Sequence, residues 1–259
     1  MKTAVTIGKG DTTGLVQNAL AWASELELPY IKREGKGTLD DILDEYELDA
    51  LIIATARGPG VYSATGRLFF HPGMGLLRIK NIQEGKGDRL VEAMRLSAGM
   101  SLLDCTLGLC ADACVAAFTV GENGKVVGLE ASLPVAFVMK EGLKVYRIEK
   151  QMADVWRKIE VLHTEAGAYL KTLPDKSFDV VYFDPMFAQT VNKSSSIKPL
   201  HALAYRGALG EDVFEQAKRV ARQRVVIKLV KYSKILPADF TLTKDGRYSK
   251  IKYAVWERE

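Results

Sequence analysis

The chain has 259 residues, of which 47% are apolar and 26% charged, with a net charge of +4. These totals exclude long disorder and leave room for one large α/β domain or two smaller ones. No apolar run approaches the ~18 residues of a membrane-spanning helix. The opening MKTAVTIGKGDTTG lacks the apolar stretch of a secretory leader, so the expected location is the cytoplasm.

In chain order, TAVTI reads as a short strand and TTGLVQNALAWASELE as a helix, with Asp11 or Thr12 as its N-cap. The intervening GKGDTTG lacks the Gly-Lys-Ser/Thr ending of a P-loop and reads as a strand-to-helix turn. LDDILDEYE is a shorter helix and ALIIATA a buried strand. From Arg57 to Gly75 glycine and proline mark turns around a hairpin, and LLRIKNI is expected as a strand. The expected organisation is a small α/β unit over residues 1–75, serving the substrate or an accessory role, followed by a larger domain over 76–259.

GKGDRLVEAMRL opens a helix with Asp88 in its first turn. A regular alternation follows: MSLLDCT (strand), ADACVAAFTV (helix), KVVGLE (strand), LPVAFVMKEGLKVY (helix), IEVLHTEA (strand), FDVVYFD (strand), EDVFEQAKRVA (helix) and RVVIKLV (strand). Such alternation predicts a doubly wound, mostly parallel sheet with helices on both faces. The last segment, FTLTKDGRYSKIKYAVWE, predicts a hairpin around Asp245-Gly246 and hence an antiparallel edge.

Ligands of open parallel sheets bind outside the carboxyl ends of the strands. The first strand of the larger domain ends with Asp104, Thr106, Gly108 and Asp112 close behind; the next three end at Glu130, Glu165 and Asp184. Glu130 follows Asp104 by 26 residues, near the spacing of about 20 at which a carboxylate holds ribose hydroxyls. The first turn, CTLGLCAD, lacks the G-x-G-x-x-G that brings amides against a pyrophosphate. A cofactor with adenosine but no phosphate fits this edge, and S-adenosylmethionine is one. Asp104, and also Asp112, would suit its cationic head. Each carboxylate has a plain alternative: Asp112 as a helix-terminal charge, Glu130 as a loop residue.

VVYFDPMF raises the question of chemistry. Pro185 stops the strand just after Asp184, and Phe187 follows in the loop. At such an edge Asp184 could accept the hydrogens of a nucleobase amine while Phe187 stacks on the base, or Phe187 could fold back into the core. Cytosine C5 chemistry would need a cysteine nucleophile beside the acceptor. Cys105, Cys110 and Cys114 instead cluster at the first strand and its helix. Their C-x4-C-x3-C spacing matches no common metal site, and no metal is expected.

Between Pro185 and Lys234 ten lysines and arginines stand against three carboxylates. This basic zone, from Lys193 to Lys234, suggests an anionic partner, RNA, unless it is only a solvated helix face.

LLDCTLGLCADA, GLEASLPVA, VVYFDPMF, RVVIKLVKYS and RIKNIQEGKGDRLVEA together resemble the RsmJ-type family of bacterial small-subunit rRNA (guanine-N2)-methyltransferases, from about Leu76 onward. The resemblance implies a Rossmann-like class I fold and S-adenosylmethionine as cofactor. It places the cofactor pocket on Ala111, Asp112, Glu130, Ala131, Glu165, Ala166 and Asp184, and guanine N2 of 16S rRNA as acceptor. This chain carries Cys110 and Ala111 where the family has glycine and arginine, Ala131 where an arginine is usual, and Ala188 in place of a proline. Adenine N6 or a protein amide as acceptor, a nicotinamide oxidoreductase and a non-catalytic RNA-binding module are the competing readings.

Overall fold

The computed structural model of the chain describes residues 1–10, 13–33, 37–146, 150–185, 203, 210–230, 237–243 and 251–259. The elements begin with β1 (Thr3–Ile7), α1 (Thr13–Glu25), α2 (Leu39–Glu45), β2 (Ala50–Thr55), β3 (Gly58–Ser63) and β4 (Gly66–Phe69). Next come α3 (Met74–Gln83), α4 (Arg89–Met94), β5 (Ser101–Asp104), α5 (Ala111–Val120), β6 (Lys125–Glu130), α6 (Leu133–Val145) and α7 (Lys150–Trp156). The chain continues with β7 (Glu160–His163), α8 (Ala166–Thr172), β8 (Phe178–Phe183), α9 (Glu211–Val220), β9 (Ala221–Val230), β10 (Thr241–Leu242) and β11 (Ile251–Glu257).

Two compact units divide the chain. The first holds the described residues of Met1–His71, Ser132–Tyr146 and Val191–Tyr205; the second holds those of Pro72–Ala131, Arg147–Thr190 and Arg206–Glu259. In the first unit the sheet order is β1-β2-β3-β4, with β1 and β2 parallel and the others antiparallel. Ala4, Leu51 and Ile53 form its core with Ile42 and Leu43 of α2. A capping box of Thr38 and Asp41 starts α2, satisfying donors that a helix N-terminus otherwise leaves unpaired. The later helix α6 joins this unit, packing Phe137 edge-on against Trp22.

In the second unit the order is β10-β11-β9-β8-β5-β6-β7. The five strands β7, β6, β5, β8 and β9 are mutually parallel, and β11 pairs antiparallel with β9. The doubly wound sheet with an antiparallel edge therefore matches the expectation from sequence. Val181, Phe183, Val225 and Ile227 are fully buried against Phe214 and Ala217 of α9. At about 1.5–3 kcal/mol for each large apolar side chain, burial of this kind fixes the strand register.

LLRIKNI is helical, not extended: it lies within α3. A short apolar run does not distinguish the two states by periodicity. Here Gly75 and Ile79, four residues apart, are the buried pair, while Met74 and Leu77 face outward. A Cβ on Gly75 would lie 2.8 Å from the Ala111 carbonyl oxygen, so α3 meets the start of α5 backbone to side-chainless backbone. Asp88 is the N-cap of α4, accepting from the Leu90 and Val91 amides at 3.1 Å each, and not a residue of its first turn. The short helix α7 was not expected; it ends at fully buried Trp156, whose indole donates to the Cys114 carbonyl at 3.1 Å. Asp11, Thr12 and the Asp245-Gly246 turn lie outside the described residues.

Candidate active site at the carboxyl edge of the sheet

From β5 the chain builds outward through β6 and β7; from β8 it builds the opposite way through β9 and β11. The crevice of such a sheet opens where the order reverses, between β5 and β8. Asp104 is the last residue of β5, and Asp184 follows the last residue of β8.

Hydrogen bonds tie the two strand ends together. The Cys105 amide donates to the Tyr182 carbonyl at 2.8 Å, and the Thr106 amide donates to Asp104 Oδ1 at 3.0 Å. The Thr106 hydroxyl in turn accepts the Asp184 amide. Thr106 thus fixes the backbone entering Asp184-Pro185 from the neighbouring strand.

The turn after β5 is tight. Gly108 has φ +52°, and its amide donates to Glu130 Oε2 at 3.0 Å. Leu107 donates its amide to the Leu129 carbonyl at 2.9 Å, and its side chain occupies the space that a Cβ on Gly128 would need. Glu130 is therefore anchored over this turn at the end of β6. Cys110, the N-cap of α5, also takes the left-handed conformation, φ +63°, although it carries a side chain. That region favours glycine, so the turn holds Cys110 against its own backbone preference.

Beyond the turn stands a chain of alternating charges. Lys228 of β9 places its Nζ 2.8 Å from Asp184 Oδ2 and 2.9 Å from Asp112 Oδ2. Asp112, in the first turn of α5, also accepts from the Tyr182 hydroxyl at 2.8 Å and from Arg78 Nη1. Arg78 reaches both oxygens of Asp88, at 2.7 and 2.8 Å. Five charged groups from five elements or their caps are linked in series: Asp184, Lys228, Asp112, Arg78 and Asp88.

Burial and these partners set the ionisation of each group. Complete burial, with Asp112 and Asp184 nearby, pushes Asp104 up to about 8 despite the Thr106 amide. Burial would also raise Asp112, but the Lys228 ammonium and Arg78 guanidinium override it and hold Asp112 below the usual carboxylate range. Asp184 is raised by burial and by the Asp112 charge, with Lys228 opposing. Burial disfavours the Lys228 cation, yet the two carboxylates keep its pKa above the ordinary value. Tyr182 is raised well above the ordinary phenol by burial.

Those of the residues singled out in the sequence that are described fall on one edge. Asp104, Thr106, Asp112 and Asp184 share one network, and Gly108 joins Glu130 beside it. Ala111 is the first residue of α5. Ala131 follows β6, its carbonyl 3.2 Å from His163 Nε2. Glu165 is the N-cap of α8 and Ala166 its first residue, just past β7. Pro185 follows Asp184; Phe187 lies outside the described residues. Sequence reasoning passed over Arg78 and Tyr182, and it counted Lys228 only as one of a basic cluster. The available signal was a single lysine within the apolar RVVIKLV, one residue beyond the position that pairs with Phe183.

The basic zone divides. Lys218 pairs with Glu215 and Asp239, Arg219 binds the Leu170 and Leu173 carbonyls, Arg222 binds the Lys176 carbonyl, and buried Arg224 binds the Ala93 carbonyl and Glu257. Those cations hold the fold together. Lys193, Lys198, Arg206, Lys231 and Lys234 lie outside the described residues. All three cysteines are buried and unbridged, and burial raises Cys105 well above an ordinary thiol. Among the described residues no group of His, Cys, Asp and Glu is arranged to hold a metal, and no helix is long and apolar enough to cross a membrane.

Comparison with known proteins identifies the family and the fold. The family described as "Putative SAM-dependent methyltransferase" matches residues 70–251. The uncharacterized protein YpiP of Bacillus subtilis is 38% identical over 215 residues, covering 82% of this chain and 83% of YpiP. Ribosomal RNA small subunit methyltransferase J of Coxiella burnetii is 31% identical over 164 residues, 59% of this chain and 60% of that protein. The match therefore spans about three fifths of the length of that relative. The crystal structure of a SAM-dependent methyltransferase from Neisseria gonorrhoeae superposes with a TM-score of 0.62 at 18% identity, covering 98% of this chain and 95% of the other, which establishes a shared fold. The chain is thus a member of the SAM-dependent methyltransferase family, and S-adenosylmethionine is its cofactor.

Proposed function

We propose that this methyltransferase acts on RNA, at an exocyclic amine, with guanine N2 of small-subunit rRNA as the acceptor. The observation that carries the reading is the Asp184 carboxylate: it stands beside the strand-order reversal, its backbone held by Thr106, with Oδ2 on Lys228 and no described residue hydrogen-bonded to Oδ1. A carboxylate oxygen so placed can accept an amine hydrogen. The relatives named as rRNA methyltransferases point to the same substrate.

The donor set fits the cofactor. Glu130, steadied by the Gly108 amide, suits a pair of ribose hydroxyls; the first turn offers no phosphate cradle; and Asp104 is a buried carboxyl that a cationic head would ionise. When bound, S-adenosylmethionine supplies an electrophilic methyl group, and the carbon–sulfur bonding pair stays with sulfur.

The remaining work falls to residues of the chain. A nucleobase amine is a weak nucleophile because its lone pair is delocalised into the ring. Asp184 Oδ1 would accept one of its hydrogens, favouring the nitrogen as positive charge develops on it. Pro185 and Thr106 fix the backbone that carries this carboxylate, so the rate comes from orientation and electrostatics; the alkylated nitrogen is acidic enough to lose its proton to water. Phe187, three residues after Asp184 in sequence, is proposed to stack on the base.

The test is to incubate the protein with methyl-labelled S-adenosylmethionine and small ribosomal subunits from cells lacking the corresponding methyltransferase, then to digest the rRNA and identify the labelled nucleoside. N2-methylguanosine is expected. Label in N6-methyladenosine or in protein would replace the acceptor.

A further inference from the structure

Lys228 lies between two buried strand neighbours, Ile227 and Leu229, and its side chain is 22% exposed. Its ammonium occupies the gap between Asp112 and Asp184. Asp112 is fixed by Tyr182 and Arg78, and Arg78 by the carboxylate that caps α4. The cation is therefore located by packed elements and not by a loop.

We propose that Lys228 is a positioning residue for methyl transfer, engaging Asp184 Oδ2 so that Oδ1 is the oxygen presented to the acceptor amine. The proposal rests on the reading of Asp184 given above. Its physical basis is the balance of charges around that carboxylate. Asp112 of α5 and Asp104 of β5 face Asp184 with like charge or the capacity for it. Tyr182 of β8 and Tyr253 of β11 border the cluster as neutral phenols, and Arg78 of α3 adds a more distant cation. Lys228 is the cation in direct contact with Asp184 among the described residues. Without it, burial and the Asp112 charge would oppose ionisation of Asp184 with no contacting cation to balance them, and a protonated carboxyl on the wrong oxygen donates where the amine needs an acceptor.

The experiment compares wild type with K228M, K228R and D184N, each checked for cooperative unfolding. Two readings are taken. The first needs no acceptor: carboxyl carbons of isotope-labelled protein are titrated by NMR, with the Asp184 signal assigned by its loss in D184N. The Asp184 midpoint should move to higher pH in K228M by about one unit or more and return toward wild type in K228R. The second is the pH–rate profile of rRNA methylation, whose acid limb should move in the same direction in K228M. Turnover at neutral pH should fall about tenfold or more while affinity for S-adenosylmethionine changes little. K228Q, which keeps the reach without the charge, replaces K228M if that protein does not fold. An unmoved Asp184 midpoint, or an unmoved limb with only a lowered melting temperature, overturns the proposal and leaves Lys228 a structural ion-pair residue. A midpoint that moves in a protein that leaves rRNA unmethylated overturns the rRNA reading instead.

Discussion

Glu130, at the end of β6, accepts the Gly108 amide at 3.0 Å across the turn that follows β5. One contact thus couples the ribose-binding candidate to the first turn of the domain. Glu130→Ala should weaken S-adenosylmethionine and S-adenosylhomocysteine alike, by about tenfold or more, since both carry the same ribose. Isothermal titration of the two ligands checks this; a loss confined to one of them would place Glu130 elsewhere on the cofactor.

Asp104 predicts a pH dependence with a definite sign. Its carboxyl titrates near 8 in the folded chain, far above an unfolded aspartate, so the folded state holds the proton more tightly. Its contribution to stability is present at low pH and is lost as pH rises through the window from about 4 to about 8. Asp104→Asn, which keeps an acceptor for the Thr106 amide, should therefore melt higher than wild type at mildly alkaline pH, with the gap widening as pH rises through this window. The same variant should bind S-adenosylmethionine more weakly. In wild type that binding should release a proton below pH about 8, measurable as a buffer-dependent enthalpy. Equal melting of the two proteins across this range would refute the buried neutral carboxyl.

Arg78 joins the acidic cap of α4 to the first turn of α5. Its removal leaves Asp88 and Asp112, both largely buried, short of a cation. Arg78→Met should lower stability by about 3 kcal/mol, read from urea unfolding. Asp88→Asn, which retains a capping oxygen, should cost less than Asp88→Ala, which loses cap and ion pair together.

At Gly75, α3 packs directly against the backbone at the start of α5. An added methyl would sit 2.8 Å from the Ala111 carbonyl, a backbone atom with little room to give. Gly75→Ala should destabilise by about 1–3 kcal/mol and displace Arg78 with its helix, so its effect and that of Arg78→Met should be less than additive in a double-mutant cycle.

Much of this arrangement is legible in the sequence. The alternation from Met100 to Val230 predicts the parallel sheet because β-branched runs ending in Asp or Glu and periodic helices each carry a local signal. Asp104, Asp112, Glu130 and Asp184 could be grouped because strand ends of a parallel sheet share one edge. The ion chain was not legible, for three different reasons. Arg78 sits in LLRIKNI, where a short apolar run conceals a helix. Tyr182 reads as an ordinary strand residue until its hydroxyl is seen to reach Asp112. Lys228 was absorbed into a basic zone whose other described members, Lys218, Arg219, Arg222 and Arg224, are engaged with carbonyls and carboxylates of the fold. Charge counts along a sequence cannot separate cations facing a partner from cations pairing within the protein.

On the proposed reading Asp184, at the border of the cofactor pocket, acts chiefly on the acceptor amine. The most direct measurement is nucleoside mass spectrometry of small-subunit rRNA after reaction with wild type and with Asp184→Asn, at S-adenosylmethionine concentrations shown by titration to saturate both. N2-methylguanosine is expected with wild type, and turnover should fall at least about a hundredfold in the variant at nearly unchanged cofactor affinity. Wild-type turnover in the variant, or a wild-type protein that binds S-adenosylmethionine and leaves the rRNA unmodified, would contradict that reading.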